Sequence, residues 1–110
     1  VNTFFSSENK RSYVDFKKQI SPQIQSLFDS LRDYCLSLGN NVIEDVRMHR
    51  IVFCKSITFR WFADIEPDKE TILLKIQKSR KEPHQTIRIK VYENLDQVKY
   101  FLRDAFNTIH

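Results

Sequence analysis

The spacing of the apolar residues changes period twice along this chain, and nothing else in it constrains the fold as tightly. From Ile24 the repeat is helical, with Ile24, Leu27, Phe28, Leu31, Tyr34, Cys35 and Leu38 returning every three or four residues. Ser21-Pro22 precedes them as an N-cap with proline at the first helical position, where its missing N–H removes no bond. Gly39 supplies the stop, so the spacing predicts a helix over 22–38. The period then falls to two. Val42 to Val46 reads as a short strand, and His49, Ile51 and Phe53 alternate with Arg50, Val52 and Cys54. Phe59, Trp61, Ala63 and Ile65 alternate with Arg60, Phe62 and Asp64. The same alternation sets Ile72, Leu74 and Ile76 against Leu73, Lys75 and Gln77, and Ile87, Ile89 and Val91 against Arg88, Lys90 and Tyr92. A helical period returns at the end, where Leu95, Val98, Leu102, Ala105, Phe106 and Ile109 form one stripe behind an Asn94/Gln97 capping box.

Connectors between the strands are short and polar, so consecutive strands should be antiparallel neighbours. The expected architecture is α+β: a two-layer domain with a four- or five-stranded antiparallel sheet and an N-terminal and a C-terminal helix on one face. The other face is then expected to show Arg60, Phe62, Leu73, Lys75, Gln77, Arg88, Lys90 and Tyr92. Residues 1–20 read as an arm or linker in which Tyr13, Val14, Phe16 and Ile20 make a short lead-in helix, and 21–110 as the single domain. Phe4 and Phe5 are the apolar residues of the otherwise polar start.

At 110 residues, with 41% hydrophobic content and nine Phe, the chain has the material for a packed core. A single glycine excludes every Gly-rich phosphate loop and the G-x-S-x-G nucleophile setting. No run of about 18 apolar residues occurs, so no membrane partner is expected, and no secretory leader is legible at the start. Cys35 and Cys54 form neither a C-x-x-C pair nor a disulfide framework and read as small buried or half-buried residues of a cytoplasmic protein.

The residues that carry chemistry are few. Asp64, Glu66, Asp68 and Glu70 alternate through what reads as the turn after the Trp61 strand, an oxygen-rich pattern that lacks the glycine and the twelfth-position Glu of a calcium loop. It is read as a solvated loop in preference to a metal site. Pro67-Asp68 is followed by no acid-x-Lys tripeptide, which removes the second half of a Mg²⁺-dependent nuclease signature. His49, His84 and His110 have no metal-ligand spacing; Cys54/His49 and Cys35/His84 remain as pairs that only a fold could bring together. No cofactor is implied and no complete catalytic motif is present.

Positive charge is concentrated. The formal net charge is +4, yet residues 47–92 hold eleven Lys/Arg against five Asp/Glu, a surplus of six, whereas both flanks are slightly acidic. Lys75-Ile76-Gln77-Lys78-Ser79-Arg80-Lys81 is the densest basic run. Such a run is either solvated surface that keeps the sheet from edge-to-edge pairing or a set of phosphate contacts. Phe62, Tyr92 or Trp61 could stack bases if exposed, although Trp61 and Phe59 read as core residues.

The stretch from Ser21 to Ile109 resembles a small bacterial and archaeal family known as domain of unknown function 5655. The likeness is carried by Ile24-Gln25-Ser26-Leu27-Phe28-Asp29-Ser30-Leu31-Arg32 running into Leu36-Ser37-Leu38-Gly39, by the strand pair 51–65 with Phe59 and Phe62, and by Leu95-Asp96-Gln97-Val98 through Arg103-Asp104-Ala105-Phe106. It implies a C-terminal attachment to restriction-nuclease-like and related DNA-processing proteins and carries over no catalytic residue. The expected function is therefore a non-catalytic accessory domain of a DNA-processing or defence protein. It would contact the backbone of DNA or RNA through Lys75, Lys78, Arg80, Lys81, Arg88, Lys90 and Arg60 on a basic sheet face. Two rivals stand beside it: a protein-interaction or homodimerisation module presenting Phe62, Leu73 and Tyr92 as an apolar patch, and a small-ligand or metal-binding domain using the cleft between sheet and helices.

Overall fold

Each change of period becomes an element boundary in the computed structural model, which describes residues 11–57 and 60–109. Phe4, Phe5, Phe59 and His110, and with them the core reading of Phe59, lie outside the described residues. The elements run α1 (Tyr13–Lys18), α2 (Pro22–Ser37), β1 (Ile43–Val46), β2 (Ile51–Cys54), β3 (Trp61–Asp68), β4 (Thr71–Ile76), β5 (Gln85–Lys90) and α3 (Asp96–Thr108). The strands form one antiparallel sheet in chain order, β1-β2-β3-β4-β5, so each pairs with its sequence neighbour as short connectors require.

The helical stripes face inward as their spacing dictates. Ile24, Leu27, Phe28, Leu31 and Cys35 of α2 and Val98, Leu102 and Ala105 of α3 are buried against Ile51, Phe53, Ala63, Ile65, Ile72, Leu74, Ile76 and Ile89 of the sheet. Both helices cover the same face, α3 over β3 and β4 and α2 over β4. The lead-in helix also forms. Ser12 Oγ accepts the Asp15 N–H at 3.1 Å to cap α1, and Phe16 and Ile20 enter the core. A polar latch holds α1 on α2: Tyr13 Oη donates to Asp29 Oδ1 at 2.6 Å and Lys17 Nζ to Asp29 Oδ2 at 2.7 Å, while the Arg32 guanidinium lies over the Tyr13 ring. Burial, and then the Asp29 bond, pushes the Tyr13 hydroxyl well above its ordinary pKa. Burial pulls Asp29 upward too, but the Lys17 and Tyr13 bonds outweigh it and leave the carboxyl below its ordinary value.

Three local expectations are corrected. Ser21 makes no capping bond to the backbone of α2; its hydroxyl meets the Gln23 side chain instead. At α3 the capping pattern reduces to Asn94 Oδ1 accepting the Asp96 N–H at 2.7 Å. Gly39 does follow the Leu38 C-cap, where the stop was expected, but it ends α2 without the positive φ usual for a glycine there. What excludes a side chain at 39 is the Phe106 ring of α3, whose Cζ would lie 2.7 Å from an added Cβ.

The largest correction concerns β3. Its pairing with β2 slips by one residue: Phe53 faces Ala63 while Cys54 faces Trp61, leaving Phe62 as the extra residue of a bulge. Side chains alternate strictly with residue number, so a one-residue insertion exchanges the faces. Phe62, expected on the outer face as an interaction residue, is fully buried and meets Phe106 edge-on with ring centroids 5.3 Å apart. Trp61, expected in the core, lies outside it, partly exposed and beside His84. The strand also continues through Pro67 to Asp68, so Asp64, Glu66 and Asp68 are strand residues and only Lys69 and Glu70 make the turn. Pro67 is tolerated because β2 ends its pairing at Ile65, leaving that side of β3 without a partner at 67.

Two substitutions test this core. Phe62→Ala should cost about 3–5 kcal/mol in chemical denaturation, as a buried Phe does, where an exposed Phe would cost under about 0.5 kcal/mol. Gly39→Ala should cost about 1–2 kcal/mol by overpacking against Phe106, and the double variant with Phe106→Leu should lose less than the two single changes added together.

Candidate functional site

Because all three helices contribute to one layer, the opposite sheet face is the natural place to look for a site, and its charge is not that of a basic face. Along its central strand it carries Asp64, Glu66 and Asp68, and these acids divide the cations. Arg50 Nη1 donates to Asp64 Oδ2 at 3.1 Å and its Nη2 lies 3.5 Å from Glu66 Oε1. Arg88 Nη1 donates to Asp68 Oδ2 and to Thr71 Oγ1, both at 2.8 Å. Lys75 stands directly across the β3–β4 ladder from Asp64. The face is a ladder of compensated charge, which lowers its attraction for a polyanion.

Asp64 is the one buried charged residue among the described residues, 7% exposed, and its Oδ1 has no hydrogen-bond partner among them. Val52 and Lys75 flank it across the neighbouring strands. The Arg50 bond is therefore its main compensation.

The seven cations expected to hold phosphate scatter accordingly. Arg88 belongs to the ladder. Lys90 pairs across from Thr71, at the other end of β5 from the 77–84 loop and roughly 17 Å away along the strand. Lys78 pairs at the surface with Asp104 of α3 at 2.8 Å, and that bond lifts its ammonium pKa above the ordinary value. Arg60, Arg80 and Lys81 remain, and the topology brings them to one end of the sheet. An antiparallel meander turns at alternate ends, so the β2–β3 connection (55–60) and the β4–β5 connection (77–84) leave the sheet at the same end.

There the backbone of 78–81 and the end of α3 enclose an open cleft of about 290 Å³ lined by Lys78, Ser79, Arg80, Lys81, Thr108 and Ile109. The Ser79 hydroxyl accepts the Lys81 N–H at 3.1 Å and shapes the loop. Lys55 Nζ donates to the Ile109 carbonyl at 3.2 Å and lies 5.0 Å from the centroid of the Phe106 ring, satisfying the negative end of α3. With Lys55 and Lys78 occupied, Arg80 and Lys81 are exposed, and no ion pair to either occurs among the described residues. Trp61 sits at the foot of this loop. Gln77 Nε2 donates to its carbonyl at 2.9 Å, and the His84 ring lies 6.0 Å from its indole.

The other candidate constellations do not assemble. Cys35 is fully buried, and burial alone pushes its thiol far up, away from any loop histidine. Cys54 closes β2 while His49 lies in the turn before it, with the length of the strand, roughly 10 Å, between them, and burial followed by Asp45 raises the Cys54 thiol. Among the described residues no group of three or more His, Cys, Asp or Glu is placed to hold a metal ion, and no helix is long and apolar enough to cross a membrane. A groove of about 380 Å³ beside α1 is lined by Phe16, Gln19, Ile20, Met48, His49, Glu66 and Pro67, of which Glu66 already pairs with Arg50. Tyr92 is 98% exposed but stands without Phe62, so the expected apolar patch does not form.

The Thr108–Ile109 wall of the cleft and the Trp61–His84 contact escaped sequence reasoning. Both are long-range pairings, and the second depends on a bulge that has no signal in the alternation. No family model, curated protein or solved structure matches this chain.

The ladder yields its own expectation. Arg50→Ala strands Asp64 without its counter-ion and should destabilise by about 1–3 kcal/mol, below the cost of a fully buried pair because Arg50 is 34% exposed. Arg88→Ala, in the more exposed Asp68 pair, should cost under about 1 kcal/mol, both variants being measured by urea denaturation.

Proposed function

We propose that the chain is a binding module that takes nucleic-acid backbone at the loop end of its sheet, using Arg80, Lys81 and Arg60, and not across the sheet face. The observation that carries this reading is the pair Arg80 and Lys81, exposed beside an open cleft with no ion-pair partner among the described residues, where Arg50, Lys78 and Arg88 are each bound to a carboxylate. Uncompensated surface cations draw phosphates by releasing condensed counter-ions, a term that is independent of sequence. A cleft at the lower limit of ordinary ligand-pocket size and open along one side suits a chain passing over it better than an enclosed small molecule. The role as an accessory domain of a restriction-associated or defence protein rests on the resemblance to domain of unknown function 5655 alone, and is proposed on that basis.

Fluorescence anisotropy with labelled oligonucleotides tests the reading. Micromolar binding should weaken by about tenfold or more between roughly 50 and 200 mM salt. Arg80→Glu with Lys81→Glu should abolish most of it and lower the salt slope by about 1.4 to 1.8, whereas Arg88→Glu should leave affinity nearly unchanged. Salt-independent binding, or equal loss with Arg88→Glu, counts against the loop end as the site.

A further inference from the structure

Trp61 is where the fold leaves something unused. The bulge takes Phe62 into the core and leaves the indole of Trp61 outside it, opposite Cys54 on the uncovered face. Bulges redirect side chains at functional edges of sheets. Here the redirected side chain is the largest apolar group in the chain, partly exposed, with its carbonyl fixed by Gln77 and its ring flanked by His84. Both of those partners belong to the loop that carries Arg80 and Lys81, and Arg60 is its immediate neighbour in sequence.

We infer that the module prefers single-stranded nucleic acid, with one unpaired base stacking on Trp61 while the flanking phosphates lie against Arg80 and Lys81. The inference rests on the proposed phosphate site and adds to it the state of the ligand. An aromatic ring can stack only on a base that is already out of a helix, because in a duplex both faces of each base are covered by its neighbours. Flat rings beside cations, with no fixed hydrogen-bond pattern directed at a base edge, tolerate any base; discrimination then falls between single and double strands and not between sequences. The charge pattern agrees, since the carboxylates that bind Arg50 and Arg88 leave the outer face little free positive charge for the second strand of a duplex laid along the sheet.

Trp61 is the only tryptophan, so its emission reports on this ring alone. The full chain is titrated at about 50 mM salt with oligo-dT, oligo-U and a duplex of equal length, following tryptophan emission and the anisotropy of the labelled oligonucleotide together. Quenching by the single strands, with duplex bound several-fold more weakly and without quenching, is the expected result. Trp61→Ala should then weaken single-strand binding by about five- to a hundredfold, and Trp61→Phe should restore most of it. Equal behaviour of dT and U oligonucleotides, which differ in both the 2′-hydroxyl and the thymine methyl, is the result expected of stacking on a flat ring with no edge or sugar readout. Binding of single strand and duplex with equal affinity and unchanged emission overturns the stacking inference and leaves the phosphate site standing. No anisotropy change with any of the three defeats the phosphate site itself. The quenching measurement on the unmodified chain decides the matter even if Trp61→Ala fails to fold.

Discussion

Both faces of the sheet depend on the single residue by which β3 exceeds β2 at the Cys54 position. Without it, Phe62 would lie outward and Trp61 would lie beneath α3. With it, the core gains a Phe that meets Phe106 edge-on, and Phe106 in turn closes over Gly39 and under the Lys55 ammonium. The chain of contacts Gly39–Phe106–Phe62 ties the end of α2, α3 and the central strand together. It also fixes the end of α3 against the 78–81 loop, and so the shape of the cleft.

The outer face shows how an uncovered sheet is kept in solution without leaving it charged. Its central strand supplies the acids, and the cations come from three places: Lys75 of β4 directly across the ladder from Asp64, Arg50 from the turn before β2 and Arg88 from β5, the last two through side-chain bonds to Asp64 and Asp68. Asp64 is the exception in degree, because Val52 and its neighbours have taken it almost out of water with only one of its oxygens bonded. The same compensation explains why a surplus of positive charge in the middle of the chain does not make a basic face. The surplus is exported to the loops, where Arg60, Arg80 and Lys81 stand beyond the reach of the acidic strand.

The α+β class, the two main helices, the antiparallel order and most core positions were legible because each rests on a local period. Ile72, Leu74 and Ile76 face inward as their alternation requires, and Val98, Leu102 and Ala105 do so at helical spacing. The failures share one cause. The sequence around Trp61 and Phe62 alternates without a break, and a bulge is a property of the pairing between two strands, invisible in either one. The acids from Asp64 to Glu70 looked like a turn because carboxylates and a proline are poor strand formers; Asp64, Glu66 and Asp68 belong to β3 through its ladder with β4, where they face Lys75, Leu73 and Thr71. Of the candidate site, the basic loop was legible as composition, whereas its division into paired and unpaired cations required the positions of Asp68 and Asp104.

The order of the strands also bears on how the chain reaches this state. With every strand beside its sequence neighbour, the sheet can assemble as successive hairpins, each closing a loop no longer than the eight residues of 77–84. Loop closure of that size is fast, on the order of tens of nanoseconds, and topologies built from local contacts cross lower entropic barriers than those with crossovers. The longest loop to close is the one that brings α2 to α3, whose meeting at Gly39 and Phe106 joins residues on either side of the whole sheet. The contact that seals the core is thus also one whose closure costs the chain more entropy than any hairpin of the sheet.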